Sequence, residues 1–199
     1  MSEKLINFYK KNIEEHENSV GALAWGSRDS QEKRFEVFSK LLSLNNSSIL
    51  DVGCGLGDLN TYLLKSNIKS NYTGLDITDD MIPIAKENHP ESTFLVGDIR
   101  ELEPSDFNVD YVLASGIFNL TIEDHEQFIW DSIEKMYAIA NKAVAFNIMS
   151  EHAPVKNPDN YYASPVEYLD KCMKINKYSL LDHSYMIHDF TIIIFKNEN

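Results

Sequence analysis

Residues 48–59, Ser-Ile-Leu-Asp-Val-Gly-Cys-Gly-Leu-Gly-Asp-Leu, leave this chain few folds to choose from. An apolar run carrying one acid, Asp51, breaks into Gly53, Gly55 and Gly57, after which Leu59, Leu63 and Leu64 share a helical face. The pattern predicts a buried strand, a tight turn and a helix N-terminus, with no Cβ to keep a ligand off the backbone. The next apolar run, residues 72–75, ends in Asp76. That is about where a strand-end carboxylate reaches ribose hydroxyls. Glycine turn plus acid, in strand-helix-strand context, points to a nucleoside-bearing cofactor.

Glycine spacing then separates two cofactor classes. A dinucleotide fingerprint wants Gly-x-Gly-x-x-Gly, but position 58 is Asp. Asp51, two residues before the first glycine, suits an ammonium or sulfonium and would repel a pyrophosphate. In these residues the chain resembles the class I S-adenosylmethionine-dependent methyltransferases, whose first motif reads acid-x-Gly-x-Gly-x-Gly. Thr73-Gly74-Leu75-Asp76-Ile77-Thr78 is similar to that family's second strand, Phe94-Leu95-Val96-Gly97-Asp98-Ile99 to its third, and Val109-Asp110-Tyr111-Val112-Leu113-Ala114-Ser115-Gly116 to its fourth. The resemblance covers roughly residues 48–120. It implies an α/β fold: a Rossmann-like, doubly wound sheet of seven strands, the last antiparallel, with helices on both faces.

Carried over position by position, the resemblance assigns Gly53, Cys54, Gly55 and Gly57 to the turn around the methionine moiety, Cys54 as a small spacer. Asp51 would hold its cationic end, Asp76 the ribose hydroxyls and Asp98 the adenine amino group. Ile77 and Ile99 would flank the adenine or simply pack in the core. Ser115 and Gly116 would face the donor sulfur. Trp25-Gly26-Ser27-Arg28 is a further candidate, Trp25 lying on ligand or docking a helix and Arg28 pairing with a carboxylate or phosphate. Phe118 and Asn119 follow the fourth strand, where acceptors bind in this fold, and Tyr162 is a third acceptor-side candidate. A general base, if one is used, is sought at His152, His188 or Tyr162. Ser-Gly-Ile-Phe-Asn at residues 115–119 lacks the Pro-Pro signature of amide-nitrogen enzymes and the Pro-Cys pair of cytosine-carbon methylases.

The chain of 199 residues carries 31 acids against 18 Lys plus Arg, a net charge of −13. Long-range repulsion from a polyanion argues for a small-molecule acceptor, with no nucleic acid partner. No signal-peptide layout and no membrane-length apolar run stand in the sequence, and two cysteines imply no disulfide framework, so a cytoplasmic home is expected. The six histidines show no metal-ligand spacing.

Leu5, Phe8, Tyr9 and Ile13 predict an amphipathic first helix over residues 2–17, and Asp29 or Ser30 is expected to cap a second. Residues 1–46 would form a helical lid or cap segment, and residues 47–199 the cofactor-binding domain, one compact unit overall. Strands are expected at residues 70–75, 93–96, 111–114 and 143–149, with a long helix over 123–141. Residues 150–164, rich in Pro, Asn and Tyr, form a loop expected to be functional or mobile. Residues 177–185 and 190–195 predict two antiparallel strands. Monomer and homodimer both stay open.

The reading is an S-adenosylmethionine-dependent methyltransferase acting on oxygen or nitrogen of a small metabolite, a sugar or phosphorylated compound among the options. Its alternatives are a non-catalytic module binding S-adenosylmethionine or S-adenosylhomocysteine, and an NAD-dependent oxidoreductase.

Overall fold

The computed structural model describes residues 27–197. In it the apolar runs become seven strands and the amphipathic stretches five helices, strand and helix alternating through most of the chain. After α1 (Arg28–Leu41) come β1 (Ser47–Val52), α2 (Asp58–Lys65), β2 (Ser70–Asp76), α3 (Met81–Asn88) and β3 (Thr93–Val96). Two single-turn 3-10 helices, Ile99–Glu101 and Pro104–Asp106, lead to β4 (Val109–Ala114), α4 (His125–Ile139) and β5 (Ala140–Met149). The chain then runs through α5 (Pro165–Ile175), β6 (Ser179–Met186) and β7 (Asp189–Phe195).

The strands form one sheet in the order β3-β2-β1-β4-β5-β7-β6. β1 to β5 run parallel, and β7 is antiparallel to both β5 and β6. This is the doubly wound sheet that the resemblance implied. Alternation along the strands divides the core in two. Ile49, Tyr111 and Ile193 pack with Phe38 of α1 and Leu63 of α2, whereas Leu50, Val112 and Ile192 pack with Ile133 of α4 and Tyr168 of α5. Helices on both sides explain why β1 and β4 are almost wholly buried. The order reverses between β1 and β4, so their C-terminal ends open a crevice of the kind in which ligands of open α/β sheets bind.

Several boundaries differ from expectation. Ser27, not Asp29 or Ser30, caps α1: its extended backbone lets its Oγ accept from Ser30 N at 3.2 Å. Asp29 instead lies in the first turn and pairs with Lys33. The long helix is shorter than its periodicity suggests because the sheet takes Ala140, paired with Val109. Residues 150–164 are bonded in place, through bridges Ser150↔Ala163 and Leu120↔Asn160 and a hydrogen bond from Tyr161 N to Asn119 O at 2.8 Å. The first predicted helix and Trp25 lie outside the described residues.

Candidate active site

At the end of β1 the chain turns through Gly53, Gly55 and Gly57, all with positive φ. Gly53 and Cys54 both donate to Leu75 O, at 2.7 and 3.1 Å, which draws the turn against the end of β2. A Cβ on Gly53, at φ +72°, would stand 2.1 Å from Ile117 Cγ2, so the β4–α4 segment closes directly on this bend. Gly57 serves differently. It opens α2 at φ +84° with its back to His89 and does not line the cleft. Its demand for glycine belongs to the helix start.

The cleft beside this turn encloses about 890 Å³ of space, its open mouth included. Ten of the residues singled out in the sequence line it: Asp51, Gly53, Cys54, Gly55, Asp76, Ile77, Asp98, Ile99, Ser115 and Gly116. Each comes from the C-terminal end of a strand or the residues just beyond, which is why motif spacing could locate them. Arg28 is exposed at the start of α1 and does not reach the cleft. One turn further along the helix, Gln31 and Phe35 do.

The carboxylates of the cleft differ in state. Asp51 is 3% exposed, and burial pushes its carboxyl up to about 7 even though Tyr72 OH donates to Oδ2 at 2.5 Å. Asp76 is raised by burial too, opposed by hydrogen bonds from Gly55 N to Oδ2 and Thr78 N to Oδ1, each 2.8 Å. For Asp98 burial works upward, but the Arg100 guanidinium outweighs it and holds the carboxyl below its ordinary value. Asp58, in the first turn of α2, accepts from Gln31 Nε2 at 2.9 Å. Among the described residues, no Lys or Arg lines this cleft.

Other sequence candidates take different places. Phe118 is fully buried between Phe128 and Phe146 in edge-to-face contact, so the expected acceptor residue is a core residue. Asn119 lies beside it, outside the cleft, with Oδ1 buried and unpartnered among the described residues. Tyr162 OH accepts from Asn157 N at 2.7 Å and its ring lies under Lys156, an arrangement that braces the loop. His152 has a side chain 62% exposed and stacks on His183. His188 sits at the β6–β7 turn, its carbonyl accepting from Ser150 N. Neither histidine lines the cleft, and the three proposed bases are not brought to it. Buried cysteine reads as expected: burial drives the Cys54 thiol well above its usual range, which leaves it an inert wall atom.

Residues that motif reading missed complete the walls. Met81, Phe128 and Leu75 add apolar lining to that of Ile77 and Ile99, and Gln31 and Phe35 line the cleft from α1. Phe35 and Phe128 fall at buried apolar positions of their helices, which by itself carries no ligand signal. Gln31 carried no signal beyond its place one turn after the Ser27 cap.

A family described as "Methyltransferase domain" matches residues 49–136. Along 159 residues the chain is 30% identical to "Putative methyltransferase Rv1506c" of Mycobacterium tuberculosis, spanning 75% of this chain and 93% of that protein. It is 29% identical over 122 residues to malonyl-[acyl-carrier protein] O-methyltransferase of Halalkalibacterium halodurans, covering 55% of this chain and 45% of that longer one. Among solved structures, magnesium protoporphyrin IX methyltransferase of Synechocystis PCC 6803, with bound SAH, superposes with a TM-score of 0.69 at 12% identity, covering 98% of this chain and 95% of that one. Its likeness is one of fold. Motif, fold and the match along most of the mycobacterial relative together place the chain among the class I S-adenosylmethionine-dependent methyltransferases.

Proposed function

We propose that this methyltransferase binds S-adenosylmethionine in the β1–β4 crevice and methylates an oxygen or nitrogen of a small metabolite. The observation that carries the binding mode is the cleft's charge. Acids converge there and, among the described residues, no Lys or Arg lines it. A pyrophosphate would be repelled, whereas a sulfonium and an ammonium are attracted. The bend at Gly53 supplies a cradle without side chains.

When bound, S-adenosylmethionine supplies a methyl group already activated by its sulfonium. Asp51 offers its carboxylate to the cationic methionine end, and that end's charge favours the ionised form of a group otherwise poised near 7. Asp76 would accept from the ribose hydroxyls. Ile77, Ile99, Met81 and Phe128 form the apolar slot for the adenine, with Asp98 at its rim. Ser115 and Gly116 lie beside the reacting end, and Gln31 and Phe35 exclude water from it. Holding reactants in line can supply much of the acceleration, so no acid–base triad is required.

The small acceptor is favoured by the net charge of −13, which opposes docking on RNA or DNA. Relatives carry names as different as trans-aconitate 2-methyltransferase and ribosomal RNA large subunit methyltransferase E, so the acceptor class has to be tested directly. The protein is incubated with methyl-labelled S-adenosylmethionine and, separately, with a low-molecular-weight extract, total RNA and total protein. Label is expected in the small-molecule fraction. Label in RNA or protein overturns the acceptor class, and binding of S-adenosylhomocysteine without any turnover identifies a non-catalytic binding module.

A further inference from the structure

One wall of the cleft is held by a buried ion pair that stability alone does not explain. Arg34 and Asp189 are both buried, Asp189 completely. Arg34 Nε and Nη2 donate to Asp189 Oδ2 at 2.9 and 2.6 Å, and Nη1 turns back to Ser30 O at 3.0 Å. The other carboxylate oxygen accepts from Tyr185 OH at 2.6 Å, and that hydroxyl also pairs with Thr191 Oγ1 at 2.9 Å. The guanidinium of α1 is thus tied to the first residue of β7, across 155 positions of sequence.

A buried ion pair costs desolvation that its attraction only roughly repays, and apolar residues of similar volume often do as well. What the pair adds is direction. Phe35, Val37 and Phe38 would tolerate a small slide or rotation of α1 on the sheet, because apolar contact is non-directional. A shift of one residue turns a helix about 100° and advances it roughly 1.5 Å, which would strand the guanidinium. Gln31 lies one turn before Arg34 on the same face, and Phe35, one turn after Gln31, stands about 100° round the helix from Arg34. Both line the cleft that Asp51 and Gly53 also line, and Gln31 ties α1 to Asp58 at the start of α2.

We propose that Arg34 and Asp189 are positioning residues, a latch that fixes α1 as the methionine-side wall and so sets affinity for the methyl donor. The inference rests on the proposed cofactor mode, and the test separates the two. Wild-type protein is titrated with S-adenosylhomocysteine by calorimetry; no binding there fails the cofactor reading itself. The double variant Arg34→Met/Asp189→Leu removes both charges without stranding either. Its Tm is expected within a few degrees of wild type, with Kd raised tenfold or more. Wild-type Kd at wild-type Tm would overturn the latch and leave a purely structural pair. Hydrogen exchange on the unliganded wild type is the second measurement, valid even where the variant fails to fold. Amides of α1 are expected to be protected nearly as well as those of β4. Fast exchange of α1 that slows only with S-adenosylhomocysteine would overturn the latch equally.

Discussion

Two carboxylates lining one cleft are in contrasting electrical states. Asp98, assigned to the adenine end in the proposed mode, is neutralised by Arg100 and held ionised, its charge already spent within the protein. Asp51, assigned there to the methionine end, is buried, accepts from the Tyr72 hydroxyl and, among the described residues, faces no cation. A protein that wanted a stable turn there had cheaper choices, since an unpaired buried carboxyl is costly in either state. The contrast teaches where charge is expected from outside: a cation belongs beside Asp51 and a neutral ring beside Asp98.

The largest effect should come from the cradle between them. Gly53→Ala puts a Cβ where Ile117 already stands and forces an L residue to a left-handed φ. Strain of that kind costs about 1–3 kcal/mol before the clash is counted. Tm is expected to fall by several degrees, and binding of S-adenosylhomocysteine to drop below detection by calorimetry. Near wild-type affinity would mean that the ligand does not lie along this bend.

Next comes Asp51. Its folded-state value, about 7, lies above the ordinary 3.8, so the protonated form is preferred in the unliganded fold. Its contribution to stability is therefore complete below about pH 4 and is lost as pH rises through 7. A bound cation reverses the preference. Affinity for S-adenosylmethionine should strengthen with pH up to about 7, by at most tenfold per unit, and then level off. Asp51→Asn should flatten this profile and weaken binding about tenfold at pH 8, or ~1.4 kcal/mol. By contrast, Asp98→Asn should cost only a few-fold, with no pH dependence between 6 and 8. A larger loss at Asp98 than at Asp51 reverses the assignment of the two ends.

Tyr72→Phe sharpens the same contrast on a smaller scale. Among the described residues, its hydroxyl is the one side-chain donor holding down the Asp51 carboxyl. Without it the midpoint of the affinity profile should move upward. An unmoved midpoint would detach the profile from Asp51.

How far the sequence could be read follows the same geography. At the ends of β1, β2, β3 and β4, cleft-lining residues and fold signal coincide, because a strand end, a glycine turn and an acid occur at fixed spacing along the chain. Asp51, Asp76, Asp98 and Gly116 were therefore legible. Gln31 and Phe35 were not, because their place depends on how α1 crosses the sheet, and Arg34 is fixed by a partner far along the chain. Phe118 misled for a related reason: the residues after β4 point to the acceptor side in general, but which side chain turns inward is settled by packing against Phe128 and Phe146.

The smallest effect is expected where the sequence suggested a base. His152 is mostly exposed, and its nearest carboxylate, Glu151, is 3.9 Å away, too far for a strong pair. Its backbone N–H donates to Ser150 Oγ at 3.2 Å, a bond that survives loss of the imidazole. His152→Ala should therefore leave Tm within a degree or so and Kd for S-adenosylhomocysteine within twofold. If kcat for the identified acceptor also holds, the loop of residues 150–164 only frames the site. If kcat falls while Kd stays fixed, the acceptor reaches past Ser115 to the rim of β5, and His152 acts on the acceptor without touching the cofactor. Measured beside Asp51→Asn, that split would mark where the cofactor end of the crevice stops and the acceptor end begins.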